Sequence, residues 1–324
     1  MGLDYERIRS QLLEEPIRDY SVSSSTTVCE LVEAFEGSHG FMAGHVARAA
    51  RILAEMWSDR EALRVLSFTG NLVSTGLRGV LAQLVREGFA SMIMTTAGAV
   101  DHDVARSFAK YYRGDWAYDD AMLRDLDIHR LGNVLVPKES YGLAIERFAR
   151  GLLDGLAKVK KEWRPSELLR EAGRRLEDPN SFLRAASDRG IPVFVPGFVD
   201  GAFGTQVAFH STLSGLKLDV LGDEIEISNM IFSAAKLGAL IVGGGIAKHH
   251  TIWWAQFKDG LDYAIYVTTA VEYDGSLSGA QPREAISWNK LKPAAKSVAV
   301  HGDATVVLPL IVAGALCLMG RGRA

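Results

Sequence analysis

Seven short apolar runs, each four or five residues long and rich in β-branched side chains, recur along the chain between glycine, proline or aspartate. Runs of this length, bounded by turn-forming residues, are typical of β-strands. Their nearly continuous hydrophobicity favours strands that are covered on both faces, as in a parallel sheet. The predicted strands are Val65–Phe68, Ser91–Thr95, Asn133–Val136, Pro192–Val195, Ala239–Val242, Tyr263–Val267 and Ser297–Val300.

Segments with helical periodicity separate these runs. Leu77–Arg86 and Ser228–Leu237 are two of them, and Ser228 and Asn229 are suitable helix-capping residues. Alternation of strands and helices predicts an α/β fold: a doubly wound, mostly parallel, Rossmann-like sheet with helices on both faces. Residues 1–60 lack such a strand and predict an N-terminal helical extension, followed by an α/β catalytic domain over 61–324.

The charge balance argues against nucleic-acid and membrane partners. The chain has 36 basic and 39 acidic residues, a formal net charge of −3, which removes the general attraction to polyanions. The longest apolar run, Ala304 to Met319, is interrupted by Pro309 and Gly314 and is shorter than a membrane span. We therefore expect this run to form a buried C-terminal helix. The N-terminus has no apolar leader, so we expect a cytoplasmic protein.

The chain has two cysteines, Cys29 and Cys317, which lie near its opposite ends. Two thiols without C-x-x-C spacing build neither a disulfide framework nor a structural zinc site. We therefore expect two unpaired thiols in a reducing compartment.

Small or hydroxylic residues follow six of the predicted strands. In an open parallel sheet, ligands bind beyond the carboxyl ends of the strands. Small side chains let the backbone approach a phosphate or a ribose, and the start of a following helix favours an anion. We therefore predict a dinucleotide site at this edge. The segments are Thr69–Asn71 with Ser74–Gly76, Thr95–Gly98, Gly197–Gly201, Gly243–Gly245, Thr268–Ala270 and His301–Ala304.

Taken alone, each of these segments has a second explanation. No G-x-G-x-x-G fingerprint is present, and a tight turn explains Gly243–Gly245 equally well. Asp200, Asp274 and Asp303 each follow a predicted strand, and each either accepts hydrogen bonds from ribose hydroxyls or caps a helix.

The adjacent pair His249–His250 follows the glycine turn. With no third Cys, His or carboxylate at a ligand spacing nearby, we expect no metal. One histidine is either a structural group that caps a helix or an acid/base group near the cofactor loop.

Glu284 and Trp288 share one predicted helical face, close to Lys290. A carboxylate together with an aromatic ring is a suitable site for a cationic amine. Lys290 is either an ordinary surface residue or, if partly buried, a nucleophile that forms a Schiff base.

Three stretches together identify a family: Gly243–His250, Asp262–Ala270 and Asp274–Lys290. Over roughly residues 60–315 the chain resembles deoxyhypusine synthases of archaeal or bacterial type. The resemblance implies an enzyme that uses NAD to oxidise spermidine and releases 1,3-diaminopropane. Such enzymes hold the remaining butylamine as an imine on a lysine and transfer it to a lysine of the translation initiation factor 5A precursor.

The resemblance also implies roles for individual residues. Lys290 matches the imine-forming lysine and His249 the proton-shuttling histidine, while Glu284 and Trp288 match the amine-binding pair. A homotetramer with active sites at subunit interfaces is implied as well. The implied NAD contacts are Asn71, Ser74, Thr75, Thr96, Ala97, Gly98, Asp200, Gly243, Gly244, Thr269, Ala270, Asp274, Ser278, Asp303 and Ala304.

The chain departs from the eukaryotic pattern in the amine pocket. Thr205 and Leu277 replace acidic residues, Trp253 replaces an asparagine, and Ala99 and His102 replace a glycine and a glutamate. Loss of two carboxylates weakens cation binding, since a charged hydrogen bond contributes about 1.5 to 3 kcal/mol.

The acceptor therefore stays open at this point. One alternative is a polyamine biosynthetic enzyme of the homospermidine synthase type, which transfers the group to a small amine such as putrescine or agmatine. Another is an NAD-binding protein without transferase activity that regulates polyamine levels, although Lys290 and His249 argue against it.

Overall fold

The computed structural model describes residues 4–321, over which strands and helices alternate. The strands are β1 (Ala62–Phe68), β2 (Met92–Met94), β3 (Tyr112–Arg113), β4 (Ile128–Leu131), β5 (Val134–Pro137), β6 (Glu162–Trp163), β7 (Val193–Phe194), β8 (Lys217–Leu218), β9 (Lys236–Val242), β10 (Leu261–Thr268) and β11 (Leu291–His301). The helices are α1 (Tyr5–Leu12), α2 (Val28–Ser38), α3 (Met42–Ser58), α4 (Gly70–Val73), α5 (Leu77–Arg86), α6 (Ala97–Phe108), α7 (Asp120–Asp125), α8 (Gly142–Val159), α9 (Pro165–Arg174), α10 (Phe182–Arg189), α11 (Ala202–Ser214), α12 (Val220–Ser233), α13 (Gly245–Ala255), α14 (Pro282–Ser287) and α15 (Ala304–Arg321).

The central sheet has six strands in the order β7-β2-β1-β9-β10-β11, and every neighbouring pair is parallel. Numbered along the chain within this sheet, the order is 3-2-1-4-5-6, which is that of the doubly wound dinucleotide-binding folds. The predicted fold class is confirmed. The order reverses between β1 and β9, so this pair marks the topological switch point.

Side chains alternate between the two faces of the sheet and form two separate cores. Leu66 and Phe68 of β1 belong to a core that includes residues of α3, α5, α6, α10 and α15. Val65, which precedes Leu66 and faces the other side of the sheet, belongs to a core with α12, α13 and α14. Helices thus cover both faces, which explains why the strand sequences show no polar alternation.

Two of the sequence predictions need correction. Asn133–Val136 does form a strand, β5, but it pairs antiparallel with β3 and β4 in a separate sheet. The two residues between β4 and β5 allow only a hairpin, because parallel neighbours need a long crossover. The helix predicted over Ser228–Leu237 is α12, which begins earlier, where the side chain of Asp219 accepts a hydrogen bond from the backbone N–H of Gly222.

The expectation of two unpaired thiols is wrong. Cys29 of α2 and Cys317 of α15 form a disulfide, with their Cα atoms 6.0 Å apart. The two helices pack side by side, and Val32 of α2 lies against Gly314 of α15. Distance along the chain did not reveal this pairing because it says nothing about which helices become neighbours.

The N-terminal region is helical and packs against the rest of the molecule. Leu53 and Met56 of α3 are fully buried, and His45 Nδ1 lies 2.6 Å from the carbonyl oxygen of Ala299 in β11. The division of the chain at residue 60 stays a prediction. No helix among residues 4–321 is both long and apolar enough to cross a membrane.

Candidate functional site

The parallel sheet brings the six predicted loops to one edge, because the carboxyl ends of all six strands point the same way. The two loops at the switch point follow β1 and β9, and they lie side by side. The backbone N–H of Thr69, after β1, donates to the carbonyl oxygen of Val242, the last residue of β9. An open crevice at this position is where doubly wound folds bind ligands.

Small residues in these loops are required by close packing. The backbone N–H of Gly70 donates to Thr96 Oγ1 at 3.0 Å. A Cβ atom on Gly70 would lie 2.6 Å from the backbone nitrogen of Ala99. Gly243 has a φ of +91°, which favours glycine. The loops after β1, β2 and β9 therefore present backbone rather than side chains.

The loop between β10 and α14, residues 269–281, closes over the glycine turn. The backbone N–H of Gly245 donates to Ser278 Oγ at 3.1 Å, and a Cβ atom on Gly244 would collide with Ser278. Ser278, predicted as a cofactor contact, is thus placed directly against the turn.

Asp101 holds in place the loop between β7 and α11, residues 195–201. This buried carboxylate of α6 accepts hydrogen bonds from the backbone N–H groups of Ala202 and Phe203, both at 2.8 Å, and from the hydroxyl of Tyr141 at 2.9 Å. Burial raises its pKa, and the hydrogen bonds oppose that effect. The sequence interpretation gave Asp101 no role, since its partners lie 40 to 102 positions away along the chain.

The other predicted cofactor residues surround the same crevice. Asn71 Oδ1 accepts a hydrogen bond from Thr69 Oγ1, whereas the hydroxyls of Ser74 and Thr75 donate to backbone carbonyls one turn earlier. Asp274 and Asp303 are exposed, and each accepts a hydrogen bond from the backbone N–H two residues later. The remaining members lie either at the start of a helix, as Ala97, Gly98 and Ala304 do, or in a loop after a strand, as Asp200, Thr269 and Ala270 do.

A cavity of about 170 Å³ lies next to this rim. It brings together the three residues predicted to handle an amine, Glu284, Trp288 and Lys290. Lys290 Nζ is 5.3 Å from the centroid of the Trp288 ring. Leu277, which replaces a family carboxylate, lines the same cavity, whereas Thr205 lies on α11 outside its lining.

Two further cavity residues were not predicted. Lys248 of α13 is only 1% exposed, and its Nζ donates to the carbonyl oxygen of Ala280 at 2.8 Å. The same Nζ is 4.3 Å from the ring centroid of Tyr266 in β10. Burial lowers the pKa of Lys248 to about 8. Lys248 is followed directly by His249 and His250, so no continuous apolar stretch marks it as buried in the sequence.

The two adjacent histidines have different surroundings. His250 is half-buried, and its Nε2 lies 3.1 Å from Glu224 of α12, while burial lowers its pKa. His249 is exposed and stacks on Trp253, with ring centroids 5.9 Å apart. His250 thus has a structural partner, and an acid/base role for His249 stays a prediction. Among the described residues, no group of three His, Cys, Asp or Glu side chains is arranged to hold a metal.

The fold and the site define a doubly wound α/β protein with a backbone-lined rim at the switch point and a lysine-containing cavity beside it. A sequence model of the family described as deoxyhypusine synthase matches residues 30–315. The chain belongs to the deoxyhypusine synthase family.

Individual relatives agree with this assignment. The chain is 53% identical over 309 residues to a "Probable deoxyhypusine synthase" of Sulfurisphaera tokodaii, covering 95% of this chain and 99% of the relative. It is 54% identical over 314 residues to a protein of the same name from Ignicoccus hospitalis, covering 95% and 98%. Its fold is similar to the crystal structure of a candidate deoxyhypusine synthase from Entamoeba histolytica, with a TM-score of 0.64 at 21% identity, over 94% and 98% of the two chains.

Proposed function

We propose that this chain is an NAD-dependent aminobutyl transferase. It cleaves spermidine oxidatively, holds the butylamine fragment as an imine on Lys290, and transfers it to a lysine of the translation initiation factor 5A precursor in the cytoplasm. One observation above all supports the proposal: a single loop joins rim and cavity. Ser278 of that loop contacts Gly245 at the rim, and its neighbour Leu277 lines the cavity that contains Lys290.

The rim fits a dinucleotide. The absence of a Cβ on Gly70 lets the loop after β1 pack directly against the backbone at the start of α6, which holds these two parts of the rim together. The helices α6 and α13 begin there without a cap from the preceding side chain. The N–H of Gly245 on α13 donates to Ser278, whereas the N–H groups of Ala97 and Gly98 on α6 are available to a pyrophosphate. When bound, NAD supplies a hydride acceptor. The residues proposed to hold it are Asn71, Ser74, Thr75, Thr96, Ala97, Gly98, Asp200, Gly243, Gly244, Thr269, Ala270, Asp274, Ser278, Asp303 and Ala304.

The cavity residues act on the amine. The carboxylate of Glu284 pairs with an ammonium, and the face of Trp288 attracts the same charge through its ring quadrupole. Lys290 supplies the nitrogen that forms the imine, which requires it to be neutral when it attacks. His249 takes or gives a proton during dehydrogenation, as an imidazole does near neutral pH.

The acceptor is tested by a direct assay. Purified protein is incubated with NAD and radiolabelled spermidine, with the translation factor precursor in one tube and putrescine or agmatine in others. We expect label on the protein acceptor and none on the small amines. Label on a small amine alone would assign the homospermidine synthase type of reaction, and a Lys290→Ala variant controls for labelling without an enzyme imine.

We also propose that the protein is a homotetramer with shared active sites. Two apolar side chains of α11, Phe209 and Leu213, are 65% and 89% exposed beside a cleft of about 690 Å³ between α8 and α11. Apolar surface of this kind marks interfaces. Mixing Lys290→Ala with Asp303→Ala, each inactive alone, should restore activity after subunit exchange. A fully active monomer in light scattering would contradict the shared site.

A further inference from the structure

Lys248 is a buried cation that the reaction described above does not use. Its side chain is almost completely enclosed, yet it lines the same cavity as Lys290. Its only hydrogen-bond partner among the described residues is the carbonyl oxygen of Ala280. A buried ammonium normally needs more partners than one carbonyl and one aromatic face. This under-solvated position favours loss of the proton.

The neighbour of Lys248 has an unsatisfied polar atom. The hydroxyl of Tyr266 is buried and has no hydrogen-bond partner among residues 4–321. Tyr266 also lines the cavity. A buried hydroxyl without a partner costs about 1 to 3 kcal/mol, so its presence on the cavity wall indicates that a ligand with a polar atom completes it. Lys248 and Tyr266 therefore place two buried polar groups in the wall of one cavity.

Three titratable groups on other elements line the cavity with Lys248. They are Glu284 of α14, Tyr266 of β10 and Lys290, which directly precedes β11. On α13 itself, His249 and His250 are adjacent to Lys248, and His250 pairs with Glu224 of α12. Burial is the main cause of the lowered pKa of Lys248, near 8, and the Glu284 carboxylate limits the fall. Two lysines and one carboxylate give the cavity an excess positive charge while both lysines are protonated.

We propose that Lys248 accepts the proton of Lys290 when the imine forms and returns it to the departing amine. The inference rests on the proposed function, because it assigns a proton acceptor to that same imine step. It follows from the shared cavity, the enclosure of Lys248 and the sparse hydrogen bonding of its Nζ.

In the imine-forming step, one proton passes from Lys290 to Lys248 and then to the leaving amine. The neutral Nζ of Lys248 takes a proton from the Lys290 ammonium, and the Lys290 nitrogen then adds to the C=N carbon of spermidine oxidised by NAD. A new C–N bond joins Lys290 to the butylamine carbon. The Lys248 ammonium protonates the other nitrogen on that carbon, and one of the two protons on the Lys290 nitrogen passes to that same nitrogen. The bond between this nitrogen and the carbon then breaks, and 1,3-diaminopropane leaves as an amine. Lys290 keeps the fragment as a protonated imine, and Lys248 is neutral again.

The ionisation of Lys248 is measured without any cofactor or substrate. In ¹⁵N-labelled protein, the Nζ resonance that disappears in Lys248→Met belongs to Lys248, and its shift is followed against pH. We expect a midpoint near 8, compared with about 10.4 for an ordinary lysine. Lys258, whose Nζ donates to the backbone carbonyl oxygen of Phe232, is removed in Lys258→Met and is the matched control. A Lys248 midpoint near that of Lys258 would overturn the inference.

The proton transfer is measured by trapping. Protein with NAD and spermidine is reduced with borohydride, and the butylamine adduct on Lys290 is quantified by mass spectrometry against pH. Wild type and Lys258→Met should show a trapping rate that rises and then levels off above about pH 8. Lys248→Met and Lys248→Arg should slow trapping by about 10²-fold or more and lose the plateau, because neither accepts a proton in this range.

Lys248→Arg separates proton transfer from charge and packing, since arginine keeps the cation. Wild-type trapping by Lys248→Arg would overturn the inference and leave the proposed function intact. An adduct on a residue other than Lys290 in wild type would instead overturn the proposed function. If Lys248→Met does not fold, the plateau in wild type and its loss in Lys248→Arg decide the question.

Discussion

The rim at the carboxyl edge of the sheet and the cavity beside it are built in opposite ways. At the rim, glycines let neighbouring loops approach each other closely, and the N–H of Gly70 donates to Thr96 Oγ1. In the cavity, chemistry depends on long side chains from α13, β10, α14 and the start of β11 that meet at their tips. The rim is therefore sensitive to added atoms, and the cavity is sensitive to lost or exchanged functional groups.

The two ends of the cavity also differ in exposure. Trp288 is 63% exposed at the cavity, whereas Lys248 in the same lining is 1% exposed. A single small cavity thus has an open end, which admits an amine, and a closed end, where burial lowers the pKa of Lys248. The five variants below separate binding at the rim from chemistry in the cavity.

The largest effect is expected at Lys290. Lys290→Arg should abolish transfer, because arginine keeps the charge but forms no imine. Spermidine cleavage that depends on NAD should continue in part, since the rim is unchanged. Release of 1,3-diaminopropane and label on the acceptor are measured in parallel. Lys292→Arg, whose parent lysine pairs with Asp262 at 2.8 Å, is the control. Transfer by Lys290→Arg would refute the imine.

The histidine pair separates catalysis from structure. His249→Ala should slow hydride transfer by about 10² to 10⁴, the usual range for a positioned acid/base group. His250→Ala should slow it much less, because His250 pairs with Glu224 and supports α13. Reduction of NAD is followed by absorbance in single-turnover mixing. Equal losses in both variants, accompanied by bound metal in elemental analysis, would replace this interpretation.

Adding one methyl group at the rim should weaken NAD binding. In Gly70→Ala the new Cβ lies 2.6 Å from the backbone nitrogen of Ala99, so one of the two loops must move. We expect NAD binding to weaken by about 10²-fold, since displacements near 1 Å have effects of this size. Calorimetry of NAD binding gives the value. Gly76→Ala adds its Cβ to open space and should bind as wild type; equal weakening in both variants would exclude the packing argument.

Removing one charge from the cavity should weaken spermidine binding and leave NAD binding unchanged. In Glu284→Gln, the KM for spermidine should rise about 10-fold or more, as expected for loss of a charged hydrogen bond of about 1.5 to 3 kcal/mol. NAD affinity should stay constant because Glu284 lines only the cavity. Glu272→Gln, whose parent glutamate pairs with exposed Arg283, is the control. An unchanged spermidine KM would show that the amine binds elsewhere.

The smallest effect concerns stability below the rim. Burial lowers the pKa of His102 to about 4, with a contribution from Arg106, while the unfolded value is about 6.5. The neutral form is favoured by folding, so stability present above pH 6.5 is lost as the pH falls towards 4. The contribution is on the order of 2 kcal/mol. The free energy of unfolding is measured by chemical denaturation at several pH values in this range, for wild type and His102→Gln. It should change less steeply with pH in the variant, and equal dependence on pH in both proteins would contradict a role of His102.

Much of the rim follows from local sequence. Short apolar strands each followed by Thr, Gly or Asp indicate a parallel sheet with a ligand edge, because parallel strands end at one edge whatever their order. The predicted α5 has the observed bounds, Leu77–Arg86. The spacing of Glu284, Trp288 and Lys290 is equally local, since all three lie within seven residues, and the structure brings them to one cavity.

The features that only the tertiary structure decided are contacts between residues that are distant along the chain. Three examples are the pairing of β5 with β3, the disulfide between Cys29 and Cys317, and the hydrogen bonds of Asp101 to the start of α11. No local pattern specifies which elements become neighbours in these cases. The burial of Lys248 belongs to the same class. Its sequence environment is an ordinary helix, and the ring of Tyr266, the carbonyl of Ala280 and the exclusion of water come from three other parts of the fold. Strand propensity and turn chemistry act between near neighbours, whereas the desolvation that lowers a pKa is produced by the whole packed interior.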